Sequence, residues 1–158
     1  MKIFTSYYSN FNKIPKKYLC VGISRYIPKE FQTTEIDNFL YTPKSILAPS
    51  EELLNDIKQG KITQEEYARR YYTEIGQGIR KLGFSNSNEY FAKMVSTFET
   101  YNDEGFEALV LLCYEKPHEF CHRHLLSALM RKNGFDVVEL VSKPSISSKS
   151  DTMSSALF

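Results

Sequence analysis

Between Leu111 and Leu126 the chain reads LLCYEKPHEFCHRHLL, which holds all three histidines and two of the three cysteines together with Glu115 and Arg123. Sulfur, imidazole, carboxylate and guanidinium this close together suit few chemistries. A cysteine at the start of a helix meets free backbone N–H groups and the positive end of the helix dipole, which favour its thiolate and make the same spot an anion site. His122 and Arg123 follow Cys121 directly and act in the same sense. Cys121 is therefore a candidate nucleophile, His122 a candidate proton carrier or orienting group, and Glu115 a candidate partner that positions Arg123. Arg123 and Arg25 are candidate anion ligands, because a guanidinium matches the geometry of carboxylate and phosphate. Cys113 and Tyr8, expected near the ends of two strands, are placed at the same edge.

Three other uses of these residues stay open on sequence grounds. Cys113 and Cys121 can be small buried hydrophobes, with His122 a satisfied core histidine and an Arg123–Glu115 pair that fixes the loop. They are also metal-ligand types, but Cys-x7-Cys-His matches no standard zinc module, so no metal is expected. A reversible Cys113–Cys121 disulfide is the third, since a strand end and a helix start can come close. On a helical wheel His122 shares the apolar side with Leu125, Leu126 and Leu129, whereas His124 is expected in solvent with Arg131.

Elements that position these residues are legible in the pattern. ALVLLC, Ala108 to Cys113, is a continuous apolar run and predicts a central strand covered on both faces. A helix from about Cys121 to Lys132 follows, ended by Asn133-Gly134, and Phe135 to Val141 predicts a last strand. Upstream, Lys2 to Ser6 and Tyr18 to Ile23 predict two strands joined by a surface loop, SNFNKIPKK. Residues 24 to 49 carry three prolines and no sustained period, so an irregular excursion with at most a helical turn is expected. Ser50 and Thr63 are N-cap residues for the next two helices. The second of these places Tyr67, Tyr71, Ile75, Ile79 and Leu82 on one stripe and ends near Gly83, and a third helix over about Ser87 to Tyr101 buries Phe91, Met94, Val95 and Phe98. Glu65, Glu66, Arg69 and Arg70 are expected as solvated pairs on the helix surface.

A strand, helix, strand unit after a helical middle predicts one α/β domain, Rossmann-like, with three layers and a short, mainly parallel sheet over residues 1 to 142. Such folds bind ligands outside the carboxyl ends of their strands, where Cys113 falls. The tail from Lys143 is Ser-rich and expected to be flexible. At 158 residues the chain suits a single core, and a net charge of +1 gives no indication of a nucleic-acid partner. No stretch is long and apolar enough for a membrane span, the start lacks a signal-peptide core, and three cysteines without a disulfide framework suit a reducing, cytoplasmic setting.

The quoted residues also resemble a family. Leu-Leu-Cys-x-Glu at the end of an apolar strand, then Cys-His-Arg at the start of a helix, is similar to the hallmark of the bacterial family called domain of unknown function 488. Cys113, Glu115, Cys121, His122 and Arg123 match it, SRYIP resembles its arginine-containing second strand and loop, and LAPSEELLNDIKQGKITQEEYARRYYTEI resembles the segment that follows in its shorter members. Ser24 stands where an acidic residue often precedes that arginine. The resemblance spans about residues 1 to 141 and implies the fold, but it brings no general activity and names no cofactor. Two functions are therefore expected: a pocket for a small anionic or nucleotide-type ligand, with catalysis open, or a protein-interaction module whose Cys-His-Arg turn is structural.

Overall fold

Residues 1–32 and 35–141 are described by the computed structural model. The expected Ser-rich tail lies outside the described residues. Five strands, β1 (Lys2–Tyr7), β2 (Tyr18–Gly22), β3 (Phe39–Tyr41), β4 (Ala108–Cys113) and β5 (Val137–Glu139), form one sheet in the order β3-β2-β4-β1-β5. Every pairing is parallel, so the expected mainly parallel sheet is wholly so. β4 is central and buried at each residue, as an apolar run without a polar face requires. Its register places Cys113 beside Tyr7 of β1 and Leu112 beside Gly22 of β2, so three strands end at nearly one level.

Five α-helices lie between these strands among the described residues, α1 (Lys29–Gln32) after β2, α2 (Glu51–Lys58), α3 (Gln64–Lys81) and α4 (Ser87–Glu99) in succession between β3 and β4, and α5 (His122–Lys132) between β4 and β5. Capping follows the local chemistry. Ser50 Oγ accepts from Leu53 N at 3.1 Å, Thr63 Oγ1 from Glu66 N at 3.1 Å, and Asn86 Oδ1 from Glu89 N at 2.9 Å. Gly134 turns the chain after α5 at φ 89°, a left-handed conformation that glycine adopts without cost.

Alternation along β4 sends its side chains to two cores. Leu109, Leu111 and Cys113, with Ile3 and Ile23, pack under the long helices through Leu53, Tyr71, Ile75, Phe91, Leu126 and Met130. Val110, Leu112 and Cys20 pack the opposite way with Tyr8, Ile14, Phe31 and Phe39. Among the described residues the helices on that second face are a 3-10 helix, Tyr8–Lys13, and the single turn of α1, a thinner layer than the long helices opposite. Aromatic rings supply the area that a long helix would give, with Phe31 and Phe39 centroids 4.6 Å apart and Phe11 and Phe31 5.1 Å apart. The loop expected on the surface therefore contributes to the core: Ile14 is buried, and Asn10 donates from Nδ2 to Ser6 Oγ and Leu140 O.

Two further expectations change. Leu82, placed on the apolar stripe of α3, caps that helix and is 57% exposed. Arg70 leaves its own helix to pair with Asp56 of α2 at 2.7 Å, an ion pair that joins two elements where only surface charge was expected.

β2 and β4 are neighbours whose onward connections part. The chain leaving β2 runs through α1 on the aromatic face, while the chain leaving β4 enters α5 on the helical face. Adjacent parallel strands with diverging crossovers leave a crevice at their carboxyl ends, where α/β sheets bind ligands.

Candidate functional site

That crevice is a pocket of about 560 Å³. Ser24, Arg25 and Tyr26 follow β2, Cys113, Tyr114 and Glu115 end β4, and Phe120, Cys121 and His122 lead into α5, all of them on its wall. The remaining wall is built by α2 and α3 through Leu54, Ile57, Lys58 and Tyr67, with Pro49 before them. Sequence spacing does not link these residues to the Cys-His turn, because helix packing alone brings them there. The available signal was Leu54 and Ile57, apolar residues that widen the apolar side of a short helix beside Leu53; in the structure Leu53 is buried and the other two are half-buried.

Cys113, Cys121 and His122 form the floor, each at most 5% exposed. Their ligand atoms all lie within 4.8 Å of one another. His122 Nδ1 stands 3.6 Å from Cys113 Sγ and 4.0 Å from Cys121 Sγ. Its other nitrogen, Nε2, lies 2.9 Å from the carbonyl oxygen of Ile23. A carbonyl can only accept, so Nε2 carries the proton and, in a neutral ring, Nδ1 presents its lone pair to the sulfurs. Tyr71, whose hydroxyl donates to Leu47 O at 2.7 Å, supports the imidazole with its ring at 5.5 Å.

Cys121 is the N-cap of α5 and makes no side-chain cap hydrogen bond. Burial opposes its ionisation, but contact with Cys113 Sγ, the nearby His122 and the Arg123 charge together hold the thiol well below its ordinary range. Cys113 moves the other way, because burial and then the neighbouring Cys121 sulfur disfavour a second thiolate. The two opposite shifts favour one thiolate over two, with the sulfur at the helix start the readier to ionise. All three cysteines are free thiols in this structure.

Glu115 places its carboxylate 3.6 Å from Cys113 Sγ. Burial and the charge on Cys121 raise its pKa from 4.5 to about 7. Because the folded protein holds this proton more tightly than the unfolded chain, Glu115 lowers stability as pH rises from 4.5 towards about 7, and the deficit is constant above that window. In metal-free protein Glu115→Gln should therefore leave stability near pH 4.5 unchanged and raise it at pH 7, read by urea midpoints across the window. An unchanged difference between the two proteins across that range would refute the shift.

Arg123 is not on the pocket wall. Its side chain is wholly buried and pairs with Glu139 of β5, Nη2 to Oε2 at 2.9 Å and Nε to Oε1 at 3.1 Å. Nη1 donates to the carbonyl oxygen of Glu115, Thr5 Oγ1 donates to Glu139 Oε1 at 2.8 Å, and the Tyr7 ring lies 5.7 Å from the guanidinium carbon. The expected anion ligand is thus a bolt between α5, β5 and the loop after β4. Its contact with Glu115 is to the main-chain carbonyl oxygen and is not the expected carboxylate pair. Among the expected residues Arg25 is the cation that reaches the pocket, fixed to its wall by a hydrogen bond from Nε to Pro49 O at 2.7 Å.

Tyr8 also falls elsewhere. It opens the 3-10 helix on the aromatic face, and its hydroxyl lies 2.6 Å from Ser24 Oγ. Ser24 donates its own proton to Tyr26 O, so Tyr8 is the donor to Ser24. It braces the β2 loop from behind, a close approach that Gly22 permits, since a Cβ there would meet Tyr8 Oη at 2.7 Å. His124, expected in solvent, is half-buried.

A parallel α/β sheet with a thiol, imidazole and carboxylate at its strand ends defines the class of protein. A family model described as the active DUF488-N3 subclade, DUF488-N3a, matches residues 4–134. The chain belongs to this family of domains of unknown function, as its Cys-x-Glu and Cys-His-Arg residues led us to expect. No curated protein and no solved structure matches it. No helix among the described residues is long and apolar enough to cross a membrane.

Proposed function

We propose that the strand-end pocket binds a small anionic or nucleotide-type ligand, with its charged group towards Arg25 and its reactive end over the Cys113–Cys121–His122 floor. The observation that carries this reading is a single hollow in which a tethered arginine and a thiol–imidazole cluster share the wall. Its volume, about 560 Å³, lies in the range of small-molecule sites. Leu54, Ile57, Tyr67 and Phe120 offer an apolar bed for a ring or chain, and Lys58 adds a second cation at the wall. Glu115, whose proton is held near neutrality, brings less than a full negative charge against an anion. Membership of a subclade described as active accords with a site at which chemistry occurs.

Phosphate-bearing compounds, nucleotides among them, should raise the melting temperature by mass action, about 2.7 kcal/mol of stabilisation at a hundredfold excess over Kd. Arg25→Ala should abolish most of that increment while the unliganded protein melts nearly as before. A panel that shifts neither protein, or one that shifts both equally, would reject the pocket as an anion site.

A further inference from the structure

Within that pocket we propose a metal site: Cys113, Cys121 and His122 bind one zinc-like divalent ion whose fourth position faces the hollow. The proposal rests on reading the pocket as a ligand site, and it supplies the contact an anionic group would make there. Sequence spacing argued against a metal because it was compared with zinc modules in which short loops set the ligand separation. Here a strand end and a helix start set it instead.

Geometry supports the ion in four ways. The donor set, two sulfurs and an imidazole nitrogen, is of the kind that selects zinc over magnesium or calcium. The three donor atoms already lie within 4.8 Å of one another, whereas ligand edges around tetrahedral zinc are about 3.5 to 3.8 Å, so the widest gap need close by only about 1 Å. His122 donates from Nε2 to Ile23 O at 2.9 Å, the outer hydrogen bond that metal-bound histidines make, and this turns Nδ1 to the sulfurs. Finally, all three residues line the pocket, so an ion held by them keeps an open side, the mark of a catalytic site in contrast to a closed structural one. Charge also closes: a dication with two thiolates is neutral, which suits residues at most 5% exposed. Binding displaces the thiol protons to solvent and needs no oxidant or reductant.

The test uses the full chain, reduced and stripped with a chelator, titrated with cobalt(II). Expected is a thiolate-to-cobalt charge-transfer absorption that saturates at a single equivalent per chain and disappears on adding zinc. Cys113→Ser with Cys121→Ser should abolish it, with circular dichroism confirming the fold. Absence of the band in wild-type protein, or its survival in the double variant, overturns the proposal. If the double variant fails to fold, wild-type protein decides: stoichiometric zinc should shield Cys113 and Cys121 from alkylation, and unchanged reactivity overturns the site. A phosphate-ligand shift that persists in chelated protein without cobalt uptake would sink the metal alone, whereas cobalt uptake without any Arg25-dependent shift would sink the anion reading and keep the metal.

Discussion

Glu139→Ala should melt roughly 10 °C below the parent protein. The Arg123–Glu139 pair has neither side chain exposed to solvent, and removing one partner leaves a charge buried without compensation. Such losses run to about 3–5 kcal/mol, and a domain of this size loses about 2–4 °C per kcal/mol. Arg123→Ala should cost a similar amount, because the Glu139 carboxylate would keep only Thr5 among the partners seen here. The double variant should cost less than the two singles together, since each single already breaks the shared pair. A drop of under about 1 kcal/mol in either single variant, measured by urea unfolding, would mean that solvent reaches the pair and that Arg123 is not the bolt described above. Arg123 and Arg25 thereby separate experimentally: loss of the first should weaken the fold, and loss of the second should weaken ligand binding.

Cys121 should react with iodoacetamide in the folded, metal-free protein near pH 7 at least about a hundredfold faster than Cys20. Nucleophilicity belongs to the thiolate, so the contrast follows from where each proton sits. Burial in the aromatic-face core pushes Cys20 up to about 12, which leaves almost no thiolate at neutral pH. Cys121 is held in the opposite direction by Cys113, His122 and Arg123, and it borders a hollow large enough to admit the reagent. Cys121→Ser should remove the fast reaction while keeping the fold. Mass spectrometry of digested protein reads all three sites at once. Equal, slow labelling of Cys121 and Cys20 until denaturant is added would make the turn a packed lock and not a reactive one.

Much of this was legible in the chain because the strongest local patterns happen to be the central ones. ALVLLC, a six-residue apolar run after Gly105, predicts a strand buried on both faces, and it is β4 at the middle of the sheet. The stripe of Tyr67, Tyr71, Ile75 and Ile79 set α3, and Asn133-Gly134 ended α5 as its turn chemistry required. β3 was hidden because Phe39–Tyr41 is three residues long, lies between prolines and pairs only along the sheet edge. The role of Arg123 was hidden for a different reason. In FDVVELV the apolar pattern gives no ground for burying Glu139, yet β5 turns Val137 and Glu139 inward and leaves Val138 44% exposed. A buried acid in a strand becomes intelligible only with its partner from α5 beside it. For the site, sequence identified Cys113, Cys121, His122 and Glu115 as a cluster, while the α2 and α3 walls depended on tertiary packing that no spacing encodes.

The proposed ligand site is the hollow at the ends of β2 and β4. Titration of isotope-labelled protein with phosphate-bearing small molecules, followed by amide chemical shifts, addresses it residue by residue. Saturable changes should appear at Ser24, Arg25 and Tyr26 after β2 and at Glu115, Cys121 and His122 around the turn, and they should vanish in Arg25→Ala. Changes confined to exposed lysines such as Lys16 and Lys17, or no saturable change with any compound, would contradict the account.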